Sequence, residues 1–156
     1  MLTQLLLLTC LGAALVGGVF FAFSSFVMKA LGQLPSEAGA AAMQRINMVV
    51  INPLFLGAFM GTALLAAACV VAAVMIRTEW RALWVLAAGL FYLLGTFGVT
   101  MAFNVPRNNR LAGLLPASSQ AQAYWPVYLR EWSRWNHVRT AAALIAAACA
   151  LVGQLP

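Results

Sequence analysis

Hydrophobic side chains fill four long stretches of the chain, and charged residues are confined to the segments between them. The uncharged runs cover residues 2–28, 46–76, 82–106 and 140–156. Because a membrane-spanning helix needs about 20 consecutive apolar residues, this pattern predicts transmembrane helices at about 3–28, 53–76, 80–103 and 136–155. The first run has no positive residue before it and is longer than the apolar core of a secretory signal, so we expect it to be retained.

The segment between the first and second spans contains two candidate helix starts. Pro35 and Ser36 precede good helix-forming residues and predict a short helix at about 36–51. Asn52 then has two interpretations. It caps a new helix with Pro53 in the first turn, or it belongs to one continuous helix that Pro53 kinks. Both interpretations place Asn52 at a membrane boundary or just inside it.

The third span carries a polar face near its end. Thr96, Thr100 and Asn104 recur every four residues, which places them along one side of a helix. Pro106 disfavours helical geometry at the residue before it. We therefore expect this helix to end near Asn104.

The connection between the third and fourth spans is rich in aromatic residues. Trp125, Tyr128, Trp132 and Trp135 have the spacing of a single helix face, which predicts an interfacial amphipathic helix at about 119–135. The rings either form an aromatic belt at headgroup level or belong to a lid that also walls a pocket.

The fourth apolar run is too short to span the membrane alone. Its 17 residues fall below the usual length, so the helix must begin earlier and bring Asn136, His137 and Arg139 to the membrane boundary or below it. Ionisable residues at that depth are costly unless they face the bundle interior. Altogether the chain is predicted to be a single all-α domain over 1–156, an integral membrane four-helix bundle with an interfacial helix between helices three and four.

Polar residues collect at one end of this predicted bundle. Single asparagines often cap helices or form turns, but their coincidence at one end predicts a polar, substrate-binding pocket. The residues are Arg45, Asn47, Asn52, Asn104, Arg107, Asn108, Asn109, Asn136, His137 and Arg139.

The scarcity of acidic residues and histidine limits the metal sites and proton-transfer groups that the chain can supply. The chain has no Asp, its three Glu lie outside the spans, and His137 is its one histidine. A di-iron site needs several carboxylates and histidines, so neither a metal site nor a cofactor is expected. The three cysteines lie one to a span and form no CxxC pair. His137 remains the one group suited to proton transfer at neutral pH.

The cationic residues predict topology and not a nucleic-acid partner. The net charge is +6, but the cations are spread singly through the connections, with no basic run of the kind that binds nucleic acid. Seven of the nine flank the first and third connections, against Arg77 and Arg81 in the second. The excess predicts that the polar end is cytoplasmic and that both termini lie outside.

Several motifs of the chain resemble the anthrone oxygenase family. They are residues 20–28, Met43, Gln44 and Asn47, Asn52, the string NVPRNNRLA at 104–112, and W..Y...W..WNHVRT at 125–140. The resemblance covers nearly the whole chain, and the last two motifs are its most specific part. Lys29 departs from the pattern, because the family is expected to have a proline there.

The resemblance implies a small four-helix protein of the bacterial inner membrane that oxidises an anthrone with molecular oxygen and no cofactor. It casts His137 as general base, and Asn104, Asn108 and Arg139 as stabilisers of the oxyanion. Trp125, Tyr128, Trp132 and Trp135 would wall the substrate. A carbanion made by removing a proton from an activated phenolic carbon could react with oxygen directly.

A second class of function stays open at this point. The expected partners are the lipid bilayer and a small aromatic or quinone-like molecule, with oxygen for an enzyme and with homo-oligomers allowed. Instead of catalysing oxidation of an anthrone or quinol, the polar end could bind a quinone, a lipid or a partner helix as a non-enzymatic membrane module.

Overall fold

The computed structural model describes residues 1–76 and 79–155, with the side chain of Glu79 excepted. Arg77, one of the two cations counted in the second connection, lies outside the described residues. The described chain is all-helical, as predicted. Its helices are α1 (Leu2–Gly32), α2 (Ser36–Val49), α3 (Pro53–Met75), α4 (Trp80–Ala112) and α5 (Ser119–Val152).

Four of these helices, all except α2, are long and apolar enough to cross a membrane, so the protein is an integral membrane protein. They pack in the cyclic order α1, α3, α4, α5, with each helix contacting the next and α5 contacting α1. Asn52 caps α3, since its side-chain oxygen accepts a hydrogen bond from Phe55 N at 3.0 Å and Pro53 occupies the first turn. The structure thus shows the capped alternative and not the kink.

Three of the spanning helices are longer than the hydrocarbon core requires. The 34 residues of α5 extend about 51 Å, against about 30 Å of hydrocarbon. If α5 leaves the hydrocarbon near Val152, about 20 residues cross it, and the other boundary falls near residue 133. The excess length of α1, α4 and α5 projects at one end of the bundle, together with α2. We call this end the polar end.

The aromatic face of α5 is buried at the polar end. Trp125, Tyr128 and Trp132 pack in one core with Met43 of α2 and Leu111 of α4. The interfacial helix is not a separate element, because residues 119–135 continue without a break into the fourth span. The spacing correctly identified one face, but that face packs against protein and does not lie on the membrane surface.

The end of the third span also differs from the prediction. The helix does not stop at Asn104 but continues through Pro106 to Ala112. Two π-helical segments, Phe91–Gly98 and Thr100–Asn104, precede the proline directly. A proline ring clashes with the carbonyl four residues earlier in regular α-helix, and the wider π turn accommodates it. A third π segment, Phe23–Val27, lies in α1.

Candidate functional site

A buried polar cluster joins α5 to α1 at the polar end. Asn136 is fully buried, and its amide nitrogen donates to the Phe20 carbonyl at 2.8 Å and to Ser24 Oγ at 2.7 Å. Its amide oxygen accepts a hydrogen bond from Arg139 Nε at 2.9 Å. Thr140, one turn beyond Asn136, donates to the Asn136 carbonyl at 2.7 Å. Asn136 therefore holds the Arg139 side chain in place.

Arg139 is a buried cation that no carboxylate neutralises. It is 6% exposed, and in the described part of the chain the one ion pair is that of Arg107 with Glu131. Its guanidinium lies over the Phe20 ring at 3.8 Å and near the Trp132 ring at 4.9 Å. Aromatic faces attract a cation electrostatically, but they leave its net charge unpaired.

The polar face of α4 completes the surroundings of Arg139. Thr96 Oγ1 donates to the Arg139 carbonyl at 3.3 Å, and Thr100 Oγ1 accepts from Arg139 Nη1 at 3.3 Å. Asn104 is 1% exposed and its nitrogen donates to the Trp132 carbonyl at 3.2 Å. Its oxygen is buried and receives no hydrogen bond. A buried polar atom without a partner is rare in folded proteins and marks this point as a site for a missing donor.

Asn108 organises the buried aromatic face. Its side-chain oxygen accepts hydrogen bonds from Tyr128 Oη at 2.8 Å and from Trp132 Nε1 at 2.7 Å. Asn47 of α2 donates to Tyr128 Oη at 3.5 Å. These bonds fix the rings beside Arg139. Trp125 stacks on Tyr128, with 5.6 Å between ring centroids.

The other predicted site residues lie outside this cluster. Arg107 pairs with Glu131 at 2.9 Å, and Asn52 caps α3. Trp135 stacks on Phe103, with ring centroids 3.6 Å apart. Arg45 and Asn109 are exposed. The structure therefore brings together Asn104, Asn108, Tyr128, Trp132, Asn136 and Arg139, with Asn47 and Trp125 in contact with Tyr128. In the described structure no hydrogen bond joins these side chains to Arg45, Asn52, Arg107, Asn109 or Trp135.

His137 does not face the cluster. It is exposed, and it lies two residues from Arg139 on α5, which is about 200° around an α-helix. The sequence correctly indicated that His137 and Arg139 lie at a similar depth. Their spacing of two residues puts them on opposite faces of α5, so they cannot both belong to the cluster.

Sequence reasoning missed five contributors to the cluster. Phe20 and Ser24 come from α1, and nothing in their local pattern predicts a contact with Asn136. Thr140 could have been found, since it lies four residues after Asn136 and therefore on the same face. Thr96 and Thr100 of α4 contact Arg139; their four-residue repeat predicted a common face but not this contact.

No group of three His, Cys, Asp or Glu side chains that could hold a metal ion occurs among the described residues. A groove of about 510 Å³ lies on the outer surface between α1 and α3, lined by Gly12, Gly57 and Gly61 among others. None of the residues that line this groove belongs to the polar cluster.

The cluster offers a hydrogen-bond donor and a hydrogen-bond acceptor on two side chains that both contact Trp132. Arg139 donates through Nε and Nη1, and its Nη2 makes no hydrogen bond in the described structure. Nη2 can therefore donate to an oxyanion, whose negative charge the guanidinium also attracts. Asn104 Oδ1 can accept from a hydroxyl. A hydrogen-bond donor aimed at developing negative charge in a dry site stabilises that charge much more than it would in water. The arrangement therefore contains a donor and an acceptor of the kinds that stabilise an oxyanion and a hydroxyl.

The family model described as anthrone oxygenase matches residues 54–149. The match starts after α1 and α2, so the resemblance of residues 20–28 and of Met43, Gln44 and Asn47 lies outside it, whereas both specific motifs lie within it. No curated protein and no solved structure matches the chain. Because the matched segment is more than half of the 156 residues, the chain belongs to the anthrone oxygenase family.

Proposed function

We propose that the protein is a membrane-bound oxygenase that acts without a cofactor on an anthrone-like or other electron-rich aromatic substrate such as a quinol. The observation that carries this proposal is the buried, charge-unpaired Arg139 together with the unpartnered oxygen of Asn104, two side chains that both contact Trp132. Keeping an arginine unneutralised inside a membrane protein is costly and marks a functional site. Family membership supports the same reaction class.

The substrate's own ionisation is the step that these residues promote. An anthrone that loses a proton from its methylene carbon carries the negative charge largely on its carbonyl oxygen. Arg139 stabilises that oxyanion, and Asn104 Oδ1 accepts from a neighbouring substrate hydroxyl. Asn108 supports the site through Tyr128 and Trp132, whose rings flank the aromatic substrate. Because His137 is exposed, the proton passes to water and not to that side chain.

The oxidation then proceeds from the anion. Its carbon forms a bond to molecular oxygen, the peroxide anion takes a proton back from water, and the resulting hydroperoxide loses water to leave a carbonyl. The carbon is oxidised by four electrons and the oxygen molecule is reduced by four. The balance is one anthrone and one oxygen molecule giving one anthraquinone and one water.

The test is oxygen uptake by the purified protein in lipid nanodiscs supplied with an anthrone and ¹⁸O₂, with empty nanodiscs as the background. We expect one oxygen molecule consumed per anthrone and one labelled atom in the quinone. Asn104→Leu should lower the rate, and His137→Ala should retain at least half of it. Uptake no faster than the background, with anthrone or quinone still bound, would instead establish the non-enzymatic binding module.

A further inference from the structure

One face of α5 is turned away from the bundle along its whole length. At the polar end this face carries Arg130, Arg134 and His137, which are spaced by four and three residues and are all exposed. The same spacing continues through exposed apolar residues further along the helix. These are Ala141, Leu144, Ile145, Ala148 and Leu151.

The change from charged to apolar residues lies close to the membrane boundary that follows if α5 leaves the hydrocarbon near Val152. With about 20 residues of α5 in the hydrocarbon, the boundary falls near residue 133. Arg134 and His137 then lie within about 6 Å of it and Arg130 lies about 5 Å outside it. Arginine side chains near a boundary extend toward the headgroups while their stems lie along apolar surface. All three polar side chains thus reach the headgroup layer.

The two arginines have no acidic partner in the structure as described. Glu131, which follows Arg130 directly, is engaged by Arg107 through bonds of 3.0 and 2.9 Å to the same oxygen. Two guanidinium groups one helical turn apart match the geometry of a phosphate, which arginine binds through paired hydrogen bonds.

We propose that Arg130, Arg134 and His137 form a binding site for the phosphate of an anionic phospholipid, with the acyl chains lying along Ala141 to Leu151. The apolar continuation of the same face distinguishes this ligand from free phosphate, which would gain nothing from it. The proposal does not depend on the oxygenase function, because none of these side chains faces the buried cluster.

The experiment is native mass spectrometry of the detergent-purified protein titrated with phosphatidylglycerol or phosphatidylcholine of identical chains. The test variant is Arg130→Gln/Arg134→Gln, and the matched control is Arg45→Gln, an exposed cation on α2 at the same end. Circular dichroism checks that each variant is folded. An arginine near an anionic surface changes binding by about five-fold, so the double variant should lose about 25-fold in affinity for phosphatidylglycerol.

We expect wild type and Arg45→Gln to bind phosphatidylglycerol equally and to prefer it to phosphatidylcholine. Equal binding by the double variant and wild type would overturn the site. So would a loss in Arg45→Gln as large as one half of that in the double variant, since binding would then follow overall charge. Displacement of the lipid by millimolar inorganic phosphate would show that the acyl chains contribute nothing, which would also overturn it.

Discussion

Replacing Arg139 with methionine separates its proposed chemical role from a structural one. Methionine has a similar reach without charge, so the helix face stays filled. Because no carboxylate pairs with Arg139 in the described structure, the substitution leaves no buried opposite charge behind. Only Asn136 Oδ1 loses its donor, since Thr100 Oγ1 still donates to the Thr96 carbonyl at 2.7 Å.

The expected change in stability follows from three terms. Leaving the Asn136 oxygen unsatisfied costs about 1–3 kcal/mol, and losing the guanidinium contact with the Phe20 ring costs about 2 kcal/mol. Removing an arginine from inside the membrane stabilises the folded protein by about 2.5–3.5 kcal/mol. The terms largely cancel, so the free energy of unfolding should change by less than about 3 kcal/mol. Loss of one oxyanion donor lowers kcat by about 10²–10³.

Two measurements on the same preparation check this. Thermal unfolding in detergent reports stability, and anthrone-dependent oxygen uptake in nanodiscs reports kcat. Arg134→Met is the control, because it removes the same charge from an exposed position on the same helix, and its rate should match wild type.

Either of two results would refute the reasoning. If Arg139→Met remains folded and turns over within three-fold of wild type, the oxyanion role is wrong. If it loses more than about 4 kcal/mol of stability, a value typical of breaking a buried charge pair, Arg139 is an essential part of the core and its charge has a structural role.

Two further predictions concern the stability of the bundle, one through a shared hydrogen-bond acceptor and one through a close contact between helices. Asn108→Ala leaves two buried donors without an acceptor, so it should destabilise by about 2–5 kcal/mol in a detergent unfolding assay, whereas Asn108→Asp, which retains acceptor oxygens, should lose less than half of that. Gly95→Ala would place a Cβ 2.5 Å from that of Ala142 and should lower stability by about 1–3 kcal/mol; Gly18→Ala, which meets nothing within 4 Å, should not, and equal effects would contradict the close approach.

The spans could be predicted because hydrocarbon imposes one simple requirement, a long run without charge. The cap at Asn52 was one of two possibilities, and local sequence did not decide between them. The aromatic spacing of α5 gave the correct face. It could not give the partner of that face, since a stripe that packs on α2 and one that lies on a membrane have the same period.

The residue types of the candidate site could be predicted from the sequence, but the way they face one another could not. The order of the helices along the chain is enough to put the asparagines and Arg139 at one end of the bundle. Which side of α5 faces inward depends instead on its contacts with α1 and α4. His137 and Arg139 differ by two positions, so choosing one as buried makes the other exposed. The bonds from Asn136 to Phe20 and Ser24 join residues more than 100 positions apart, and no local pattern carries that information.

The π-helical segments of α4 determine which of its side chains point at the same neighbour. Thr96, Thr100 and Asn104 recur every four residues, and in regular α-helix each such step would advance about 40° around the axis. Two steps would swing the last residue by about 80° from the first. The wider i to i+5 turns of π helix wind more slowly and offset this drift, so all three side chains form hydrogen bonds with residues of α5. The alignment of the polar face thus depends on the local number of residues per turn. Deleting one residue between two members of this face would turn the later members away from α5, although the polar residues themselves would all still be present.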